Sequence, residues 1–332
     1  MISRTLLGRS VAATALAAGL AVAAPAGMAL AKSCADPLKV AVFSVNGASP
    51  TITEMMESAT AAAKAKGWEV ETYDGNGDQV ATNNQANTYI QRGFDALINV
   101  ASDNNQMGGV IENAQEAGIP FVSTFSGLVP GITADIGSNN VADGVIAASE
   151  MVARIDGRGK VVKFNWNVLP ALQDRDRGFH AVVEGYPDLE VEEVEVKVPG
   201  QVDDVYAKMT NLLQSGEKID AVWTGWDEIA VAAVRAIEQA NKQDEIFVVS
   251  MDGAAPAYDL IRDGNTLALT VAYDVGGMGS TAVDTVCRAV DGEKFPARVL
   301  YKKPCLILDQ TVPSTGHKPD FKTCPLFSAE IQ

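Results

Sequence analysis

The segment Leu38-Lys39-Val40-Ala41-Val42-Phe43-Ser44-Val45 is a short run rich in β-branched and aromatic residues. After the link Asn46-Gly47-Ala48-Ser49-Pro50 it gives way to an Ala-rich stretch, Glu54 to Lys66, closed by Gly67. The first part predicts a strand. The second predicts a helix that ends where glycine supplies the conformation a helix stop requires. A strand followed by a helix of this length is the opening half of a βαβ unit.

The same rhythm continues downstream. Strands are predicted at Trp68–Tyr73, Ala96–Ala101 and Phe121–Thr124, with helices at Gln79–Gln91 and Met107–Ala117 between them. A second series starts with a helix at Val141–Arg154. It continues with strands at Val161–Phe164, Leu189–Val198, Ala221–Thr224, Phe247–Ser250 and Leu267–Tyr273 and helices near Gly178–Glu184, Val205–Gln214 and Glu228–Asn241. Such alternation calls for parallel sheets covered on both faces, and near-continuous apolar runs such as Ala96-Leu97-Ile98 agree. The fold class is therefore α/β, with two doubly wound parallel-sheet domains.

Between the two series, Gly131–Asn140 reads as a first crossing, extended and without helix until Val141. After the last strand, Gly276-Gly277-Met278-Gly279 reads as a turn leading into a helix through Cys287 and Val290. Beyond Lys303 the spacing of Pro304, Pro313, Pro319 and Pro325 reads as a loop-like tail.

Ahead of the first strand, Arg4 and Arg9 precede an apolar stretch from Val11 to Ala24, and Ala29-Leu30-Ala31 offers a small-residue cleavage pattern. This predicts a secretory signal peptide over residues 1–31 and a periplasmic destination. Pro25 and Gly27 leave the apolar run short of the roughly 20 residues a membrane span needs, so direct membrane insertion is not expected. Lys32-Ser33 before Cys34 does not fit a lipidation signal.

Cleavage there would take off two arginines and no acid, moving the net charge from −16 to −18. Such a field disfavours nucleic acid and anionic membrane surfaces as partners. In an oxidising compartment Cys34, Cys287, Cys305 and Cys324 would form two disulfides. A helix in an α/β unit runs antiparallel to its strand, which puts Cys287 on the same side as Cys34 and favours Cys34 with Cys287 and Cys305 with Cys324. No cysteine or histidine spacing fits a metal site.

Open parallel sheets bind ligands at the carboxyl ends of their strands. The residues there are Asn46 and Ser49, Asn99, Phe125 and Ser126, Asn139, Trp166, Trp226, Asp252 and Tyr273. Amides, one acid and aromatics suit neutral hydroxyls and the C–H face of a sugar ring. Packing at strand ends is the alternative for the aromatics, and backbone hydrogen bonding for Asn99, Ser126 and Asn139. Asn46-Gly47-Ala48-Ser49-Pro50 lacks the G-x-G-x-x-G of dinucleotide sites, and no P-loop or nucleophile elbow occurs. Neither an enzyme nor a cofactor is expected. Asp74-Gly75-Asn76-Gly77-Asp78 opens like a calcium loop, but Gln79 and Gln85 stand where Gly and Glu are needed, so it reads as a βα turn.

From Leu38 to about Leu308 the chain resembles the type I periplasmic substrate-binding proteins, close to the ribose and galactose group. The resemblance rests on Leu97-Ile98-Asn99, Ala117-Gly118-Ile119-Pro120, Arg175-Asp176-Arg177-Gly178-Phe179, Trp226-Asp227-Glu228-Ile229-Ala230 and Val248-Val249-Ser250-Met251-Asp252-Gly253.

It implies a three-crossing hinge near Ser138, Tyr273 and Pro304. The two lobes would then be 38–138 with 274–304, and 139–273 with 305–332. It also implies a cleft met by Asn99, Asn139, either Gln173 or Arg175, Asp252 and Tyr273. The expected ligand is a monosaccharide or polyol. The expected partner is the membrane permease of an ABC transporter, served by a monomer, with a chemoreceptor or sensor kinase as the alternative. The chain departs from ribose-type binders where Phe125-Ser126 replaces an Asp-Arg pair and Thr51-Ile52 replaces stacking aromatics.

Overall fold

The computed structural model describes residues 1, 32–264, 266–301 and 303–328. The expected signal peptide, apart from Met1, lies outside the described residues. The described residues from 32 onward form one unit holding two six-stranded sheets.

The first series runs β1 (Lys39–Ser44), α1 (Pro50–Ala65), β2 (Glu69–Asp74), α2 (Gln79–Gln91), β3 (Ala96–Val100), α3 (Gly108–Glu116), β4 (Phe121–Thr124) and β5 (Ala134–Gly137). The second runs α4 (Asn140–Arg154), β6 (Gly159–Asn165), α5 (Pro170–Val183), β7 (Leu189–Glu195), α6 (Gln201–Gln214) and β8 (Ala221–Thr224). It goes on through α7 (Asp227–Gln239), β9 (Phe247–Asp252), α8 (Ala255–Arg262) and β10 (Leu267–Ala272). Then α9 (Val275–Val290) and β11 (Arg298–Leu300) return to the first domain, and β12 (Cys305–Ile307) closes the second.

The strand orders are β11-β5-β4-β3-β1-β2 and β12-β10-β9-β8-β6-β7. Both sheets thus repeat one pattern, and the pairings are parallel except β10 with β12. The alternation of side chains along each strand decides the layers. Val40 and Val42 pack with Met55 of α1 and Val283 of α9, whereas Ala41 and Phe43 pack with Tyr89 of α2 and Ile111 of α3. In the second sheet Val162 and Val222 face α6 and α7, and Val161 and Trp223 face α4 and α5. The chain changes domain three times: after β5, after β10 and after β11. No helix among the described residues is long and apolar enough to cross a membrane.

Several element readings need correction. Helices α1 and α5 begin one to two turns before the apolar periodicity starts, because Pro50 and Pro170 occupy first helical positions, where a missing N–H costs nothing. The stretch Ala134–Gly137 is a sheet strand. Gly276 to Gly279 is not a turn but part of α9; a Cβ on Gly279 would overlap the Met55 carbonyl oxygen, so this glycine lets α9 and α1 approach closely. The segment after Pro304 is not all loop, since Cys305–Ile307 pairs with β10 and is fully buried. Helix α8 is absent from the sequence reading. Both disulfides pair as expected, Cys34 with Cys287 and Cys305 with Cys324.

Candidate functional site

In each sheet the first strand sits between the second and third, β1 between β2 and β3, β6 between β7 and β8. The loops leaving the carboxyl ends on either side of such a reversal diverge and leave a crevice. Here both crevices open onto one cavity holding about 550 Å³ of empty space, part of it open to solvent. Asn46 and Ser49 enter it after β1, Phe125 after β4, Trp166 after β6 and Trp226 after β8. Asp252 comes from the end of β9 and Arg175 from α5.

Arg175 organises the polar part. Its side chain is buried, and four of its five N–H groups are committed. Nε donates to Asn140 Oδ1 at 3.2 Å. Nη1 donates to the Gly225 carbonyl at 2.6 Å and pairs with Asp252 Oδ1 at 2.9 Å, and Nη2 donates to the Tyr273 hydroxyl. Tyr273 in turn donates to Asp252 Oδ1 at 2.6 Å, and Thr51 Oγ1 donates to Asp252 Oδ2 at 2.9 Å. The Phe125 ring lies 5.8 Å from the guanidinium and 5.3 Å, edge-on, from Tyr273. A buried ion pair is tolerated only when its remaining donors and acceptors are met in this way.

Why Arg175 reaches this place follows from two glycines. A Cβ on Gly144 would overlap the Arg175 carbonyl, and one on Gly178 would overlap the Val141 carbonyl, so α4 and α5 cross closely only because both positions lack side chains. That approach sets Arg175 beside Asn140.

Asp252 is fixed from behind. Asp227, at the first position of α7, accepts from the backbone N–H groups of Gly253 and Ala254, each at 2.8 Å, and from Thr270 Oγ1 at 2.8 Å. Burial pushes the Asp227 carboxyl up, and the neighbouring Asp252 charge adds to the shift. Asp252 itself holds φ at +132°, and Ala101 and Phe125, both lining the cavity, hold φ at +51° and +53°. Non-glycine residues in such regions cost about 1–3 kcal/mol each and persist where the surroundings over-determine them. The Arg175 charge is disfavoured by burial but is more than restored by Tyr273, Asp252 and Asp143, so its pKa rises. Burial raises Tyr273 well above the usual phenol value despite the opposing Arg175 charge.

Not every expected residue lines this cavity. Tyr273 stands one layer back, against Arg175 and Asp252. Asn99 donates to the Ser102 carbonyl and to Asn104 Oδ1, both at 2.9 Å, and so shapes the loop after β3. Ser126 bonds the Thr124 carbonyl, and Asn139 caps α4 through Ala142 N–H. Gln173 faces a second, polar space of about 710 Å³ beyond Phe125, with Asp174, Arg177 and Arg298. The Asp74–Asp78 run is the β2–α2 turn, with Asp78 capping α2.

Residues that sequence reasoning did not place at the cleft are Asn140, Asp227, Gln201 and Glu228. Gln201 Nε2 donates to Glu228 at 3.0 Å, and Trp226 Nε1 donates to the same carboxylate at 3.3 Å. The signal for Asp227-Glu228 was present, as two acids in the first turn of a helix that directly follows a strand.

Residues 40–294 match the family model described as "Periplasmic binding protein domain". The chain is similar to the xylitol-binding protein of Mycolicibacterium smegmatis, 25% identical over 94% of this chain and 88% of that protein. It is 26% identical to the ribose import binding protein of Escherichia coli over 79% and 88% of the two chains. Among solved structures, an ABC transporter solute binding protein from Bacillus halodurans with bound myo-inositol superposes with a TM-score of 0.76 at 25% identity, covering 84% of this chain and 96% of that one.

Proposed function

The chain belongs to the periplasmic binding protein family, type I sugar-binding solute carriers that are not enzymes, and from that premise we propose that it is the solute-binding component of an ABC importer. In this reading the exported chain works in the periplasm as a monomer. It takes a small polar molecule, a sugar or polyol, into the cleft between its two domains and presents it to a membrane permease.

The observation that carries the proposal is the buried Arg175–Asp252 pair, backed by Tyr273, at the edge of a cavity to which loops from both sheets contribute. An ionised carboxylate accepts strongly from neighbouring hydroxyls, and a guanidinium donates to them. The indole faces of Trp166 and Trp226 suit the C–H surface of a ring or polyol. Xylitol, ribose and myo-inositol in the names of similar proteins support this ligand class.

The lobes 38–138 with 274–304 and 139–273 with 305–332 would close about the three crossings. Turning a mostly open population into a mostly closed one takes about 5.5 kcal/mol of preference for the closed form. A few charge-assisted hydrogen bonds and a stacked ring supply that much.

The test is a thermal-shift screen of the secreted chain against monosaccharides and polyols. A ligand at 100 times its Kd adds about 2.7 kcal/mol of stability, a clear rise in Tm. If no sugar or polyol raises Tm, the proposal fails.

A further inference from the structure

The cavity lining is of two chemical kinds. Asp252, Arg175, Thr51, Asn46 and Ser49 supply oxygen and nitrogen, as do Gln201 and Glu228, which are bonded to each other. The rest of the lining is largely carbon. Ile52 and Met55 come from the start of α1, Leu169 and Leu172 from the start of α5, and Val198 from the segment after β7. None of these five side chains carries a donor for a hydroxyl, and the Met55 sulfur is the one acceptor among them, a weak one. The indole N–H of Trp226 does not fill the gap, since it is already given to Glu228.

The polar groups are also heavily committed among themselves. Both Asp252 oxygens accept bonds, and one N–H of Arg175 remains. A compound hydroxylated at every carbon would set hydroxyls against Ile52, Leu169, Leu172 or Val198, side chains that offer no partner in place of the water lost there.

Building on the sugar or polyol reading above, we propose that the ligand is amphipathic. Its hydroxyls meet Asp252 and Arg175, and a carbon end without a hydroxyl, such as a deoxy, methyl or alkylthio group, fills the compartment of Ile52, Leu169, Leu172 and Val198. An apolar compartment of this kind separates a methyl from a hydroxylated carbon by about 10- to 100-fold in affinity.

Isothermal titration calorimetry of the secreted chain with matched pairs tests this: D-galactose with D-fucose, D-ribose with 5-deoxy-D-ribose, and D-ribose with 5-methylthio-D-ribose. In the pair that binds, the member lacking the terminal hydroxyl is expected to bind about 10- to 100-fold more tightly. Equal or tighter binding of the hydroxylated member overturns the inference and leaves the sugar or polyol reading standing. If no member of any pair binds and no other sugar or polyol stabilises the chain, both readings fall together.

Discussion

The Thr51 hydroxyl donates to Asp252 Oδ2 at 2.9 Å, and this bond joins the first turn of α1 in one domain to the end of β9 in the other. It caps a carboxylate oxygen that a bound solute would otherwise address, and it ties the two domains across the cleft. A hydrogen bond to a charged group contributes about 1.5–3 kcal/mol. Thr51→Val keeps the shape and removes the donor. The ligand-free variant is expected to be more open than wild type, seen as a larger radius of gyration in small-angle X-ray scattering, with saturating solute restoring the compact form. Identical ligand-free curves would show that the bond does not hold the domains together.

Asp252→Ala removes the only carboxylate paired with Arg175 among the described residues and leaves a buried guanidinium without its counter-charge. Breaking one side of such a pair costs about 3–5 kcal/mol, more than the pair's own net contribution. Solute affinity, measured by calorimetry, is expected to fall about 30- to 1000-fold, and Tm to fall as well. Wild-type affinity in this variant would mean that the solute does not meet Asp252.

Gly178→Ala puts a methyl against the Val141 carbonyl at the α4–α5 crossing. Forced apart, the helices would carry Arg175 away from Asn140, so stability is expected to fall by about 1–3 kcal/mol. Solute affinity should weaken with it. Gly109→Ala in α3, where nothing lies within 4 Å, is the control, and there the better helix former is expected to add up to about 1 kcal/mol. Urea unfolding of both variants separates crowding at the crossing from a general effect of alanine.

The βα alternation was legible because parallel strands are buried on both faces and leave runs such as Ala96-Leu97-Ile98, while the helices carry a 3.6-residue period. Where that period was interrupted the reading failed. The glycines of α9 resembled a turn because their packing partner, α1, lies more than 200 residues earlier in the chain. Strand β12 hid among prolines because its pairing with β10 is non-local. At the site, strand-end position alone pointed to Asn46, Ser49, Phe125, Trp166, Trp226 and Asp252, all of which line the cavity. It could not separate Asn139 from Asn140, since adjacent residues at a helix start differ only in where the chain turns them: one caps α4 and the other meets Arg175. Asp143 was invisible as a site residue because nothing local marks a helix carboxylate as buried, and the two acids opening α7 marked a helix start without showing that Asp227 would be buried behind Asp252.

Asp143 gives the site a pH signature. Burial within α4 pushes its carboxyl from 3.8 up to about 7; Ser138 and the Arg175 charge oppose the shift, and the Asp252 charge reinforces it. Below 3.8 the group is protonated whether the chain is folded or not and adds no pH dependence. Between 3.8 and about 7 the folded chain keeps a proton that the unfolded chain gives up, so stability falls as pH rises, by about 1.4 kcal/mol per unit for this one group. Above 7 both states are ionised and the loss is complete. Asp143→Asn mimics the protonated form at every pH. Its stability relative to wild type, from urea unfolding at pH 4.5, 5.5, 6.5 and 8, is therefore expected to improve steadily across that window and then level off. The raised carboxyl of Asp227 is present in both proteins and drops out of the difference. A gap between the two proteins that does not change with pH would mean that Asp143 is already ionised in the folded chain at pH 4.5.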